Sequence, residues 1–87
     1  MQVSYTKEFV KNYGRRIKIF PKLNQQFLNR FKLFKTDRRN TMLKDHQLSG
    51  DKSEYRAFSI TGNIRVVYKQ IGDEVRFYDV GTHNQVY

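Results

Sequence analysis

The sequence predicts one small α+β domain, and three observations carry that reading. Apolar residues recur at helical spacing up to Leu43 and in strand-like runs after Tyr55. Two glycine dipeptides, Gly62-Asn63 and Gly72-Asp73, punctuate the second half as hairpin turns do. Seven phenylalanines and six tyrosines among 87 residues supply a core that a disordered basic tail would lack. A chain of this length holds a single domain, residues 1–87, and buries only about 60–65% of its unfolded surface. The expected architecture is an N-terminal strand, a two-helix hairpin, then antiparallel strands forming one small twisted sheet with the helices on one face.

Each element has its own signal. In residues 2–5, Val3 and Tyr5 alternate with polar residues, which reads as a strand, edge or central. Thr6 is an N-cap residue for a helix from Lys7, along which Phe9, Val10, Tyr13 and Ile17 recur at helical spacing. Gly14 interrupts that helix, and Pro21 suits the first turn of a second one. There Leu23, Phe27, Phe31 and Phe34 form an apolar stripe that belongs in the core, and residues 37–41 read as a charged loop.

Residues 55–61, 64–71 and 74–80 are the three strands of the second half. If both glycine turns are tight, Thr61 faces Ile64, Ile60 faces Arg65 and Phe58 faces Val67. By the same arithmetic Ile71 faces Glu74, Tyr68 faces Phe77 and Arg65 faces Val80. One face then carries Phe58, Ile60, Val67 and Val80, and the other Ala57, Val66, Tyr68, Val75 and Phe77. Both are apolar, and two short helices cover only one. The other is expected to be covered in part by a protein partner.

Charge narrows the partner class. Seventeen basic residues against eight acidic give a net charge of +9. All of the excess lies in residues 1–43, and the remainder is neutral. Lys7, Lys11, Arg15 and Lys18 line one face of the first helix, which suits a polyanion such as RNA. No apolar run reaches the length of an export signal or a membrane span, so the expected compartment is the cytoplasm and no membrane contact is expected. Without cysteine, and with only two histidines, the chain offers neither a disulfide scaffold nor a zinc ligand set; no metal or cofactor is expected.

What remains for chemistry is His, Arg, Lys and Tyr. That set suits metal-independent RNA cleavage: a base takes the ribose 2′-OH proton, cations stabilise the phosphorane, and an acid protonates the leaving 5′-oxygen. Histidine, titrating near neutrality, can serve as either.

The run YRAFSITGNIRVVYK over 55–69, the terminal VRFYDVGTHNQVY over 75–87 and DHQLSG over 45–50 together resemble the RelE/ParE toxin superfamily, in particular its RelE/StbE (YafQ-like) branch. The resemblance spans nearly the whole chain. It implies the toxin of a type II toxin–antitoxin pair: a ribosome-dependent endoribonuclease that cuts mRNA in the ribosomal A site. Its implied partners are the ribosome with its 16S rRNA, the message, and a cognate antitoxin that covers the open sheet face; the free toxin is expected to be a monomer. Carried over by position, His83 matches the C-terminal catalytic histidine, expected to be the general acid. His46 matches the upstream histidine, a base or a group that orients substrate. Arg65 matches the strand arginine that holds the scissile phosphate, and Tyr87 the terminal aromatic that orients a base. Arg56 follows Tyr55 in the YR pair and is expected either to contact phosphate or to form a structural salt bridge. Lys52 joins Lys7, Lys11, Arg15 and Lys18 among the expected substrate contacts. Relatives of this branch often carry a histidine where Ser59 stands and an acid where Asn63 stands. Neither residue here can act as a base, so proton transfer falls on His46 and His83. Two alternatives stand beside this reading: a ParE-like toxin of the same fold that inhibits DNA gyrase and cleaves nothing, and a non-catalytic RNA-binding protein.

Overall fold

A computed structural model describes residues 1–87. The chain opens with strand β1 (Gln2–Tyr5), followed by helix α1 (Lys7–Tyr13). Thr6 caps α1 by accepting from the Phe9 amide at 3.0 Å. Gly14 does not break the helix as its type suggests. It keeps helical dihedrals, and the chain continues through a π-turn, Gly14–Lys18. Helix α2 (Pro21–Thr36) begins on its proline, whose missing N–H sits where no helical bond is needed. Both helices lie on one face of a five-stranded sheet of order β1-β5-β4-β3-β2. The other strands are β2 (His46–Gln47), β3 (Arg56–Ser59), β4 (Ile64–Ile71) and β5 (Glu74–Thr82). A final turn, α3 (His83–Val86), follows β5 directly. Strand β1 is an edge strand, parallel to β5.

Leu23, Phe27, Phe31 and Phe34 pack against Phe9, Ile17, Leu43 and the helix-facing residues of the sheet, as the spacing of the stripe predicts. No helix is long and apolar enough to cross a membrane.

The register departs from the tight-hairpin arithmetic in two places. Ser59 pairs with Arg65 and Phe58 with Val66, not Ile60 with Arg65 and Phe58 with Val67. The link around Gly62-Asn63 is a longer loop, in which Thr61 Oγ1 accepts from the Asn63 and Ile64 amides at 3.2 and 3.1 Å. A one-residue slip turns every side chain of β3 over. Phe58 and Ile60 therefore join Val66, Tyr68, Val75, Phe77 and Val80 in the main core, while Val67 turns to the opposite face with Ala57.

The second departure is a bulge between Val67 and Tyr68, opposite Phe77 and Asp79. Up to the bulge Tyr68 faces Phe77 and Ile71 faces Glu74, as predicted; beyond it Arg65 faces Gly81 rather than Val80. Gly72, at φ 60°, takes the left-handed first position of a two-residue hairpin, which glycine adopts freely. The second sheet face is not left open. Val86 of α3, with Leu48 and Tyr55, packs over Ala57 and Val67. The more open apolar surface lies instead among the helices, where Tyr5, Val10 and Leu28 are exposed beside a groove of about 250 Å³.

Candidate active site

The face covered by α3 carries the candidate chemistry. Arg65 projects from β4, paired across the sheet with Ser59 on one side and Gly81 on the other. Its Nη1 lies 3.0 Å from His83 Nδ1. The Tyr87 ring stands edge-on to His83 with centroids 4.5 Å apart, and the Arg65 guanidinium carbon lies 5.8 Å from the Tyr87 centroid. His83, Arg65 and Tyr87 thus form one cluster, assembled from β4 and the last five residues.

Position 81 makes that assembly possible. A Cβ there would lie 2.5 Å from Gln85 Oε1 and 2.9 Å from Arg16 Nη1. With glycine, the Gln85 side chain folds back over it, and Gln85 Oε1 accepts from the Thr82 amide at 2.8 Å. This is the reach-back half of a capping box, and it fixes the turn on which His83 is the first residue. Arg16 supports the same corner, donating to the Val80 carbonyl at 3.0 Å and pairing with Asp79 at 3.3 Å.

His46 and Lys52 join His83 and Tyr87 around a cleft of about 470 Å³. A second recess, of about 360 Å³, holds Arg65, Asn63 and His83, so His83 lies between the two. Strand β2, absent from the sequence reading, positions His46 opposite Ala57 and hence on the His83 face. Lys52 Nζ donates to the Val86 carbonyl at 3.3 Å, a cation at the C-terminal end of α3.

The two histidines are held in opposite ways. A guanidinium only donates, so His83 Nδ1 accepts and the neutral ring carries its proton on Nε2. His46 Nδ1 lies 2.9 Å from the Lys44 carbonyl, which only accepts; His46 therefore donates from Nδ1 and keeps a free lone pair on Nε2. Lys44 turns its carbonyl to His46 from a left-handed conformation, φ 49°, the only such non-glycine residue in the chain. Burial pushes the Tyr87 phenol up, against the opposing pull of Arg65, so it is protonated at neutral pH. Arg65 Nε is buried without a partner, leaving a donor unspent.

The other sequence-predicted residues lie apart. Arg56 points to the helix face, where its Nε donates to Asp45 at 3.0 Å and to the Tyr68 hydroxyl at 3.3 Å. Lys7, Lys11, Arg15 and Lys18 are exposed on α1 and the π-turn. No three His, Cys, Asp or Glu side chains converge as metal ligands. Sequence reading missed Gly81 and Gln85 as supports of the site, although Thr82-His83-Asn84-Gln85 carries the T-x-x-Q spacing of a capping box. It also missed Asp45, which no spacing marks.

A family model described as a bacterial toxin of a type II toxin–antitoxin system, YafQ, matches residues 1–87. Among solved structures, YafQ from E. coli strain BL21(DE3) superposes with a TM-score of 0.78 at 21% identity, covering 99% of this chain and 97% of that one. The E. coli DinJ–YafQ toxin–antitoxin complex gives 0.76 at 22% identity, with 99% and 96% covered. A YoeB/ParE toxin from Agrobacterium tumefaciens gives 0.77 at 19%, with 95% and 99% covered. At these identities the structural likeness is one of fold. No curated protein matches the sequence significantly.

Proposed function

The chain belongs to the YafQ family of toxins of type II toxin–antitoxin systems, and we propose that it is a ribosome-dependent endoribonuclease that cleaves mRNA in the A site. The observation that carries this reading is the cleft lined by two histidines of opposite tautomer, His46 and His83, with Arg65 donating to His83 from the recess that adjoins it.

The steps follow from the side chains. His46 Nε2 accepts the proton of a ribose 2′-OH, and the 2′-oxygen attacks the adjacent phosphorus. Arg65 turns its guanidinium from His83 to the phosphate oxygens and stabilises the charge that develops there. Its unspent Nε, a buried donor worth about 1–3 kcal/mol when satisfied, favours that turn. Once Arg65 leaves, His83 Nδ1 takes a proton from solvent, the resulting imidazolium donates one to the departing 5′-oxygen, and His46 later returns the 2′-OH proton to solvent. The products are a 2′,3′-cyclic phosphate and a 5′-hydroxyl. Tyr87, protonated, offers a ring for stacking a base and not a proton-accepting oxygen. Ser59, paired with Arg65 on the sheet, and Asn63 in the loop take no proton-transfer role.

Lys7, Lys11, Arg15 and Lys18 form the ribosomal RNA footprint, which sets the site of action in the cytoplasm. The cognate antitoxin occupies the apolar groove lined by Tyr5, Val10, Tyr13, Phe27, Leu28 and Phe31. Lys7 and Lys11 beside it suit an acidic amphipathic segment. Primer extension on programmed ribosomes tests the reading. New mRNA 5′ ends at A-site codons, with the same message left whole without ribosomes, support it; whole mRNA with gyrase-linked DNA damage overturns it.

A further inference from the structure

A second basic pocket lies on the opposite sheet face from His83. It has a volume of about 730 Å³ and no hydrophobic residue in its lining. Four cations, Arg38, Arg39, Lys44 and Arg56, surround it with a single carboxylate, Asp45. That carboxylate is spent. Its side chain is only 10% exposed, pairs with Arg56 at 3.0 Å and Arg38 at 3.5 Å, and accepts from the Tyr68 hydroxyl at 2.5 Å. Arg38 is spent as well, on Asp45, Tyr68 and Gln70.

The remaining donors are not. Asp45 and Tyr68 hold Arg56 through Nε alone, so both of its terminal nitrogens remain available in a fixed fork. Arg39 and Lys44 take part in none of the five ion pairs. An arginine fork oriented by Asp45, beside two unpaired cations and with no hydrophobic or aromatic residue to anchor a base or a peptide, matches the chemistry of a phosphodiester.

We propose that this pocket binds a backbone phosphate of the same RNA strand several nucleotides away from the one being cut. The strand would pass around the free β2 edge, where residues 44–46 join the two faces: Lys44 and Asp45 line the pocket and His46 lines the cleft. Arg56 would then hold a more distant phosphate of the strand, distinct from the scissile phosphate at Arg65. This inference rests on the RNA-cleavage reading, but its test does not require cleavage.

The probe is a single-stranded RNA oligonucleotide, fully 2′-O-methylated so that it cannot be cut, titrated with the full chain over a range of salt. Arg39→Gln and Lys44→Gly are the variants, since both side chains are exposed and glycine accepts the left-handed backbone of Lys44. Together they are expected to weaken binding roughly tenfold and to lower the salt slope by up to about 0.7, the share of one phosphate on a single strand. Unchanged affinity and slope would overturn the proposal, and so would normal RNA binding combined with lost antitoxin capture. A second set of arms separates the two readings. If the pocket variants bind poorly while His83→Gln still cleaves normally, the pocket stands and the catalytic assignment fails. If they bind normally while His83→Gln is inactive, the reverse holds.

Discussion

Arg65 Nη1 donates to His83 Nδ1 at 3.0 Å, and that contact decides which nitrogen of the histidine carries the proton. On the proposed mechanism it links the acid to the phosphate-binding group, because His83 Nδ1 is released only when Arg65 turns to the phosphate. Nitrogen-15 NMR of the free protein should report His83 as the Nε2–H tautomer and His46 as the Nδ1–H tautomer. Arg65→Gln should release His83 to a mixture of tautomers and leave His46 unchanged. The same tautomer at both histidines would contradict opposed roles.

Gly81 and Gln85 fix the turn that carries His83. Gly81→Ala should push the Gln85 side chain off the Thr82 amide, lowering stability by about 1 kcal/mol, the worth of a lost cap. Cleavage should fall more than stability does. Gln85→Ala should reproduce the activity loss with no clash. Chemical denaturation beside single-turnover cleavage separates the two effects, and full activity in both variants would remove the positioning role.

Tyr68 supplies a pH signature for the network behind the basic pocket. Burial first, then the bond and charge of Asp45, push its phenol up to about 12, partly opposed by Arg38. A folded-state value above the unfolded one near 10 means that this stabilisation is complete below pH 10 and is lost as pH rises toward 12. The loss should be on the order of 1–3 kcal/mol. Tyr68→Phe, compared by urea denaturation at each pH, should flatten that part of the profile; parallel profiles would exclude Tyr68 as its source.

Much of the fold was legible because its signals are local. The aromatic stripe of α2, the cap at Thr6 and the proline at the start of α2 each act within one turn of chain. Apart from the Thr61 turn, whose local hydroxyl bonds shift β3 by one residue, what escaped was set by distant contacts. The bulge at Tyr78 is stabilised by Thr6, whose amide donates to the Phe77 carbonyl at 3.0 Å and whose hydroxyl donates to the Tyr78 carbonyl at 3.1 Å. No arithmetic on the hairpin alone contains those bonds. For the same reason the sheet face read as open is closed by Val86, carried there by a terminal turn too short to show helical periodicity. In the candidate site, resemblance picked out His46, Lys52, His83 and Tyr87, which the fold brings into one cleft, and Arg65, which lies in the recess beside it. The fold also separates Arg56 from them, on the other side of the sheet.

The proposed antitoxin groove is tested at its exposed rim. Val10 is 58% exposed and Leu28 46%, so Val10→Asp and Leu28→Asp should alter stability by less than about 1 kcal/mol. Each should weaken capture of the co-expressed antitoxin by tenfold or more, because a charge is driven into an apolar contact. Capture at wild-type strength by both variants would move the antitoxin to another surface.

The measurement that bears most directly on the chemistry uses a message whose scissile 5′-oxygen is replaced by sulfur. Thiolate leaves without protonation, so such a substrate does not need a general acid. On the normal message His83→Gln should slow single-turnover cleavage on the ribosome by about 10²- to 10⁴-fold, and on the sulfur-substituted message it should cut at nearly the wild-type rate. If His83→Gln is equally slow on both, His83 is not the acid that releases the 5′-oxygen.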